Sequence, residues 1–383
     1  MKFIHTADWH LGKLVHGIHM TDDQKSMLQQ FIKVVEEEKP DAVIIAGDLY
    51  DRSVPPTKAV DLLHDVLYTI TTELNTPVLA ISGNHDSAER IHFGNQLFRK
   101  SDLYIEGKPT LNPKAVQIKG VNFHLIPYSD PGTIRYLYDD DSIVNHEEAM
   151  KRIVASLEES MNPNEANVFV GHAFVLGGMQ SDSERTLSVG GSECVNADVF
   201  SPFDYTALGH LHSPSAINHP TVHYSGSLMK YSFSEAKQNK SISIVTMEEN
   251  GQFNVEYKSL VPERDMRIVE GHLDELLDVS FYQSQQVEDY LKISLLDEGA
   301  LIDPIGKLRS VYPNVLHLER KIEQKDAKKT SQFHIDTNNG RDTIHLFNDF
   351  YQEMTTNSFT DEKKEVISAI INNVGANKGG GCK

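Results

Sequence analysis

Histidine, aspartate and asparagine cluster at five places, four of them opening on glycine: Asp8-Trp9-His10, Gly47-Asp48-Leu49-Tyr50-Asp51-Arg52, Gly83-Asn84-His85-Asp86, Gly171-His172 and Gly209-His210-Leu211-His212. Oxygen and imidazole donors without a thiolate suit Mn2+, Fe2+ or Zn2+ better than a soft ion. Asp8, His10, Asp48, Asn84, His172, His210 and His212 make seven donors. That is too many for one tetrahedral ion and the right number for two ions sharing a carboxylate. Two ions about 3.5–4 Å apart clamp a phosphoryl oxygen and activate water. Asn84 suits this chemistry, since its amide oxygen binds a cation without adding charge. In an extended segment residues i and i+2 share a face, so Asp8 with His10, and His210 with His212, are expected to point together. The glycines before Asp48, Asn84, His172 and His210 let the backbone turn and come close. Taken singly, each motif reads as a structural turn. The five in order on strand ends point to one pocket.

The elements that must position them alternate. Strands are expected at 2–6, 42–46, 78–82, 122–126 and 167–170, with amphipathic helices at 21–38, 56–74 and 146–159 between them. This predicts an α/β fold with covered sheets, whose ligand crevice lies beyond the carboxyl ends of the strands. Past residue 200 strands dominate, at 205–208, 222–225, 241–247 and 253–260, the last two flanking Asn250-Gly251, a hairpin signal. A second sheet layered on the first is the expectation. A small α/β unit follows from 263 to 320, then a polar, Lys-rich linker at 321–340. Two amphipathic helices within 341–374 follow, carrying Ile344, Phe347, Phe350, Tyr351 and Met354, then Val366, Ile367, Ile370, Ile371 and Val374. A Gly-rich tail, 375–383, is expected to be disordered.

Composition narrows the class. Of 383 residues 39% are hydrophobic and 24% charged, as in ordinary globular proteins. No apolar run approaches the roughly 20 residues of a membrane helix, and the N-terminus turns polar too early for a signal peptide. Two distant cysteines, Cys194 and Cys382, exclude a disulfide framework and fit a reducing cytoplasm. Asp plus Glu exceed Lys plus Arg by 55 − 36 = 19, which by itself argues against a general nucleic-acid binder. Net charge does not describe the local field of a site holding divalent ions.

The ordered motifs resemble the calcineurin-like metallophosphoesterase superfamily. Within it the chain is similar to the nuclease-subunit family of bacterial SbcCD complexes, kin to double-strand-break repair nucleases. Asp182-Ser183-Glu184-Arg185, Val189-Gly190-Gly191, Tyr224-Ser225-Gly226-Ser227 and Tyr312-Pro313-Asn314-Val315 carry the resemblance, which covers residue 1 to about 374. It implies a layered α/β/β/α sandwich over 1–262, a small α/β cap that contacts DNA over 263–320, and a helix pair over 341–374. Asp8, His10, Asp48 and His212 would hold one ion and Asp48, Asn84, His172 and His210 the other, Mn2+ being the first choice. His85 would face the scissile phosphate, stabilising the transition state or protonating the leaving oxygen. The implied reaction is attack of a metal-bridging hydroxide on DNA, as a 3′–5′ double-strand exonuclease and a single-strand or hairpin endonuclease in recombination, replication and repair.

By the same resemblance, Ile344, Phe347, Phe350, Tyr351, Ile367 and Ile370 would dock an SbcC-type ATPase subunit, two copies of each chain forming a heterotetramer. The homodimer would form through helices around 60–74 and 89–98, and the complex would be cytoplasmic and nucleoid-associated. Archaeal and eukaryotic relatives carry histidine where this chain has Asp51. Asp51 and Arg52 follow the wider phosphoesterase pattern of residues that support ligands. Asp86 is either an orienting partner of His85 or a turn residue. Two other functions remain open: a binuclear phosphoesterase acting on small diesters or phosphoproteins, and a non-catalytic assembly subunit. His5 is expected in the core, Trp9 likewise, and the Gly- and Ser-rich loop 177–195 either shapes the cleft or is plain surface.

Overall fold

In the computed structural model, residues 1–184, 193–321, 344, 347–348, 350–351 and 358–378 are described. The expected linker from residue 322 onward and the last residues of the tail lie outside this set.

Apolar residues fill consecutive positions along the central strands, so both faces of each sheet are covered. The first sheet has the order β11-β10-β1-β2-β3-β4, with β1 Lys2–Thr6, β2 Ala42–Ala46, β3 Val78–Ile81, β4 Leu103–Glu106, β10 Ser241–Met247 and β11 Phe253–Ser259. Strands β1 to β4 run parallel, while β10 pairs antiparallel with both β1 and β11. The second sheet is β9-β8-β7-β6-β5: β5 Val116–Ile118, β6 Val121–Leu125, β7 Ala166–His172, β8 Tyr205–Gly209 and β9 Val222–Tyr224. Here β6 to β9 are parallel and only β5 is reversed.

Strand β2 shows how the layers arise. Ala42, Ile44 and Ala46 face the other sheet, packing with Phe3 and Leu79 of their own sheet against Phe123, Val168 and Tyr205 of the second. Val43 and Ile45 face the helices α1 (Thr21–Glu38) and α2 (Thr57–Tyr68), packing with Met27, Leu28, Phe31 and Leu63. Over the second sheet, helices α3 (Pro131–Tyr138) and α4 (His146–Glu158) cover Phe169, Leu208 and Tyr224 with Ile134, Ile153 and Val154. The result is an α/β/β/α sandwich.

The helix expected to run to residue 74 departs from α geometry after Tyr68, where Thr69–Glu73 forms a π turn. The Thr71 hydroxyl donates to the Leu67 carbonyl at 2.8 Å, a back-bond that competes with the regular ladder. Sequence periodicity misses α3, β4 and β5, which are too short to show a period.

Chain contacts separate two units, Met1–Ser294 with Ile302–Glu319, and Leu295–Leu301 with Arg320–Lys383. Strands β12 (Met266–Gly271), β13 (Tyr290–Leu295) and β14 (Val315–Arg320) form a three-stranded sheet in the order of their numbers. The first unit also ties β12 and β13 to α1: Arg264 and the Tyr290 hydroxyl both donate to Asp23, at 2.8–2.9 Å. In the second unit Phe347 stacks on Tyr351 and packs at a tilt against Phe350 and Phe359, and helix α5 spans Asp361–Lys378. It therefore runs past residue 374 into the segment expected to be disordered. Among the described residues no helix is long and apolar enough to cross a membrane.

Candidate metal centre

All seven expected donors lie at or just beyond the C-terminal ends of β1, β2, β3, β7 and β8, and all lie in one place. Asp8, His10, Asp48, His172, His210 and His212 are buried; Asn84 is half-buried. The alternation argument for Asp8 with His10 does not hold, because β1 stops at Thr6. The two residues converge because both adopt left-handed backbone, φ +53° and +46°. Asp48 at +51° and His210 at +105° do the same. Four non-glycine residues with positive φ in one pocket is strained backbone concentrated where ligand atoms must meet. The strain is held by the sheet: the Asp8 and His10 amides donate to the Gly47 and Asp48 carbonyls at 3.1 and 2.9 Å.

Two glycines make this approach possible. A Cβ on Gly47, at φ +90°, would stand 2.4 Å from His172 Nδ1, and one on Gly209 would stand 2.0 Å from the Ala46 carbonyl oxygen. The second contact bridges the two sheets, so Gly209 lets them close on the pocket.

The ligand atoms crowd together in the pocket. His172 Nδ1 lies 2.9 Å from the Ala46 carbonyl, which takes its N–H and leaves Nε2 with the lone pair. That Nε2 faces Asn84 Oδ1 at 2.9 Å and Asp48 Oδ2 at 3.4 Å. His210 Nδ1 approaches the same Asn84 oxygen at 3.2 Å. Across the pocket, His10 Nε2 and His212 Nε2 stand 3.0 Å apart, and Asp48 Oδ2 is 3.6 Å from the former. Asp8 accepts the His210 amide with both oxygens at 2.9 and 3.1 Å. Donor atoms of Asp8, His10 and His212, and of Asp8, Asp48 and His172, fall within 4.8 Å of one another. Carboxylate, amide and imidazole ligand atoms gathered this closely in a buried pocket fit divalent metal ions.

The electrostatics of the pocket agree. Burial pushes the Asp8 carboxyl up to about 7 against the pull of His172 and His212. Burial lowers His10, and lowers His210 to about 3 with the His172 charge adding to it. Burial works the other way on Asp48 and His172, but each overrides it for its partner: Asp48 is held well below the carboxylate range and His172 rises to about 9. A proton on His172 takes the part of a cation there.

His85 lies beside these groups. Its amide donates to Asp48 Oδ1 at 2.8 Å, its Nδ1 meets the Asp51 carbonyl at 2.8 Å, and its ring sits 4.7 Å from that of His10. The Asp51 carbonyl is thus the orienting partner, and Nε2 is the free ring nitrogen. Asp86 is a turn-fastening residue: its carboxylate accepts the amides of Gly83, Leu49 and Tyr50 at 2.9–3.1 Å, joining the loops after β2 and β3. Burial and the Asp48 charge raise it to about 7. Asp51 accepts from Lys13 at 2.7 Å and stands 3.7 Å from His10 Nδ1. Arg52 lies 4.0 Å from Asp51, with its side chain half-exposed.

Sequence reasoning did not single out Lys13, nor Gln24, whose amide holds the carbonyls of Trp9 and His10 at 3.2 and 2.7 Å. Trp9 is in the core, its Nε1 donating to Thr6. His5 is buried, bonded to the Tyr205 hydroxyl and the Leu208 carbonyl, both at 3.1 Å. Of the candidate partner-docking residues, Phe350 and Ile370 are exposed, and Ile344, Phe347, Tyr351 and Ile367 are half-buried. They belong to the second unit.

Residues 1–214 match the family model described as calcineurin-like phosphoesterase, and residues 262–355 match one described as type 5 capsule protein repressor C-terminal domain. The chain is 36% identical over 372 residues to the SbcD subunit of the SbcCD nuclease from Staphylococcus saprophyticus, covering 97% of this chain and 98% of that protein. It is 33% identical over 379 residues to the same nuclease subunit from Staphylococcus epidermidis, covering 98% and 100%. A dimetal phosphatase from Danio rerio overlaps 68% of this chain and 99% of its own at 11% identity and a TM-score of 0.39, too loose a likeness to speak for the fold.

Proposed function

This chain belongs to the SbcD family of SbcCD nuclease subunits, within the calcineurin-like phosphoesterases, and from that premise we propose that it cleaves DNA phosphodiesters at the pocket between its two sheets. The chain is a hydrolase, a metal-dependent nuclease subunit of an SbcCD-type complex. The finer reading is a 3′–5′ double-strand exonuclease and a single-strand or hairpin endonuclease. The observation that carries the metal-dependent chemistry is the convergence of ligand atoms in one buried pocket, those of Asp8, His10 and His212 and those of Asp8, Asp48 and His172 each lying within 4.8 Å of one another.

In this proposal Asp8, His10, Asp48 and His212 hold one divalent ion, and Asp48, Asn84, His172 and His210 the other, with Mn2+ the natural occupant. When bound, the ions supply Lewis acidity to a phosphodiester oxygen and acidify water. Asp48 is the shared carboxylate. Asn84 contributes an oxygen without charge, which keeps the pocket from repelling a phosphate. His85, held through Nδ1 by the Asp51 carbonyl, presents Nε2 to the scissile phosphate, either to stabilise the developing charge or to protonate the 3′-oxygen as it leaves.

The proposed division of labour is nuclease over 1–262, DNA-contacting cap over 263–320, linker over 321–340, ATPase-binding helices over 341–374 and tail over 375–383. The apolar groove of about 690 Å³ between α2 and the segment Ser87–Phe98 supports a homodimer. Val60, Tyr68, Phe93 and Phe98 are exposed there, a face suited to a second copy. Exposed Phe350 and Ile370 support docking of the SbcC-type ATPase, giving a two-plus-two assembly in the bacterial cytoplasm, on the nucleoid.

The test is cleavage of end-labelled duplex and hairpin DNA with Mn2+, comparing this chain alone, with the ATPase and ATP, and as His85→Ala. Cleavage that needs the partner and vanishes in the variant supports the proposal. Hydrolysis of a small diester with no cleavage of DNA in any mixture overturns the substrate, and DNA cleavage unaffected by His85→Ala overturns the role of that histidine.

A further inference from the structure

His212 is gripped at its ring, its amide and its carbonyl, and by residues far from it in sequence. Its Nδ1 lies 2.7 Å from the Ser183 hydroxyl. Its amide donates to Glu184 Oε1 at 2.7 Å, and its carbonyl accepts from Lys240 Nζ at 2.7 Å. Behind Ser183 stands Glu235, fully buried, whose Oε1 is in short contact with the serine hydroxyl and whose Oε2 accepts from Lys240 at 2.6 Å. Lys240 is buried too, and completes its bonding on Ser227 Oγ and Gln238 Oε1 at 2.9 and 2.8 Å.

The directions of these bonds are forced. The Glu235 carboxylate, paired with a buried ammonium group, can only accept. Ser183 has one proton, and it goes to Glu235. The serine oxygen therefore meets His212 Nδ1 with a lone pair, and Nδ1 must carry the ring proton. That leaves the lone pair on Nε2, the atom that faces His10 Nε2 at 3.0 Å in the pocket. With the opposite tautomer, Nδ1 and the serine oxygen would meet lone pair to lone pair.

We propose that Ser183 and Glu235 are positioning residues of the nuclease site, a hydroxyl-bridged carboxylate–histidine relay that fixes the ligating tautomer of His212, while Glu184 and Lys240 clamp its backbone. This gives part of the loop 177–195 a definite task, to bring Ser183 against the ligand. The inference rests on the reading of His212 as a metal ligand. Partners of this kind that hold a ligating histidine change metal affinity by about 10–100-fold.

The experiment is calorimetric titration of the metal-free full-length chain with Mn2+, in wild type, His212→Gln, Ser183→Ala and Ser183→Thr. The wild type takes up two equivalents, and His212→Gln loses one. Ser183→Ala keeps both, with one site weakened about 10–100-fold and the other unchanged. Ser183→Thr, which keeps the hydroxyl, restores the affinity; a role in packing alone would not follow the hydroxyl. Two unweakened sites in Ser183→Ala, or equal losses in the alanine and threonine variants, overturn the relay. Two equivalents at wild-type affinity in His212→Gln overturn instead the assignment of His212 on which it rests.

Discussion

Asp48 makes more of the pocket's contacts than its chemistry alone requires. It stands 3.4 Å from His172, 3.6 Å from His10, and accepts the His85 amide at 2.8 Å. Replacing it with Asn removes the charge that both proposed ions share, so Asp48→Asn is expected to take up less than one equivalent of Mn2+ and to lose DNA cleavage, both measurable on one preparation. His85→Asn should differ: metal uptake stays at the wild-type level while turnover falls by about 10²–10⁴-fold, the usual contribution of a positioned acid or base. At this scale the donors were legible because their types are unusual together and each sits after a strand. Their supports were not. Lys13, Gln24, Glu235 and Lys240 carry no motif, and only three-dimensional proximity gives them partners. The Asp86 alternatives were separable only once its three backbone donors were visible.

The loops after β1, β2 and β8 do the positioning, and they work because two sheets come unusually close at their ends. Gly209 is the point of contact, with no room for a methyl group beside the Ala46 carbonyl. Gly209→Ala is expected to lower unfolding free energy by about 1–3 kcal/mol through overpacking, read from the urea midpoint, and to weaken Mn2+ binding at the same time. The groove along α2 yields a second expectation at this scale. Phe93→Glu places a charge on an exposed apolar face; under the proposed homodimer, light scattering should find the wild type dimeric and the variant monomeric. Strands and long helices were readable from periodicity, to within a residue or two for β1, β2, α1 and β10. The π turn and the left-handed residues were not, since the one depends on a threonine back-bond and the others on hydrogen bonds from neighbouring strands.

Taken whole, the molecule is acidic, with a net charge of −19, yet acts on a polyanion. The chain by itself should bind duplex DNA weakly and with a shallow salt dependence, which steepens once the ATPase adds its phosphate contacts; filter binding at several salt concentrations measures both. Acid should destabilise the fold through its buried histidines. Burial lowers His5 from its ordinary 6.5 to about 3, so between those values the unfolded chain binds a proton that the folded chain refuses. Stability from this group is complete above pH 6.5 and is lost as pH falls toward 3. At pH 5 the loss is about 2 kcal/mol, and urea titrations at pH 7 and 5 should show His5→Gln losing that much less than the wild type.

By itself the sequence determined which residues can bind metal, where the strands and long helices run, and that a phosphoesterase is the chemistry that fits. These are local properties: side-chain type, spacing within a motif, and periodicity within an element. Only the tertiary structure decided how the donors meet, because their approach depends on left-handed backbone held by cross-strand bonds and on glycines where two sheets nearly touch. It likewise decided which nitrogen of each histidine is free, since a tautomer is set by whatever stands on the other side of the ring. For His172 that is the carbonyl of Ala46, and for His212 the hydroxyl of Ser183, both brought there by the fold.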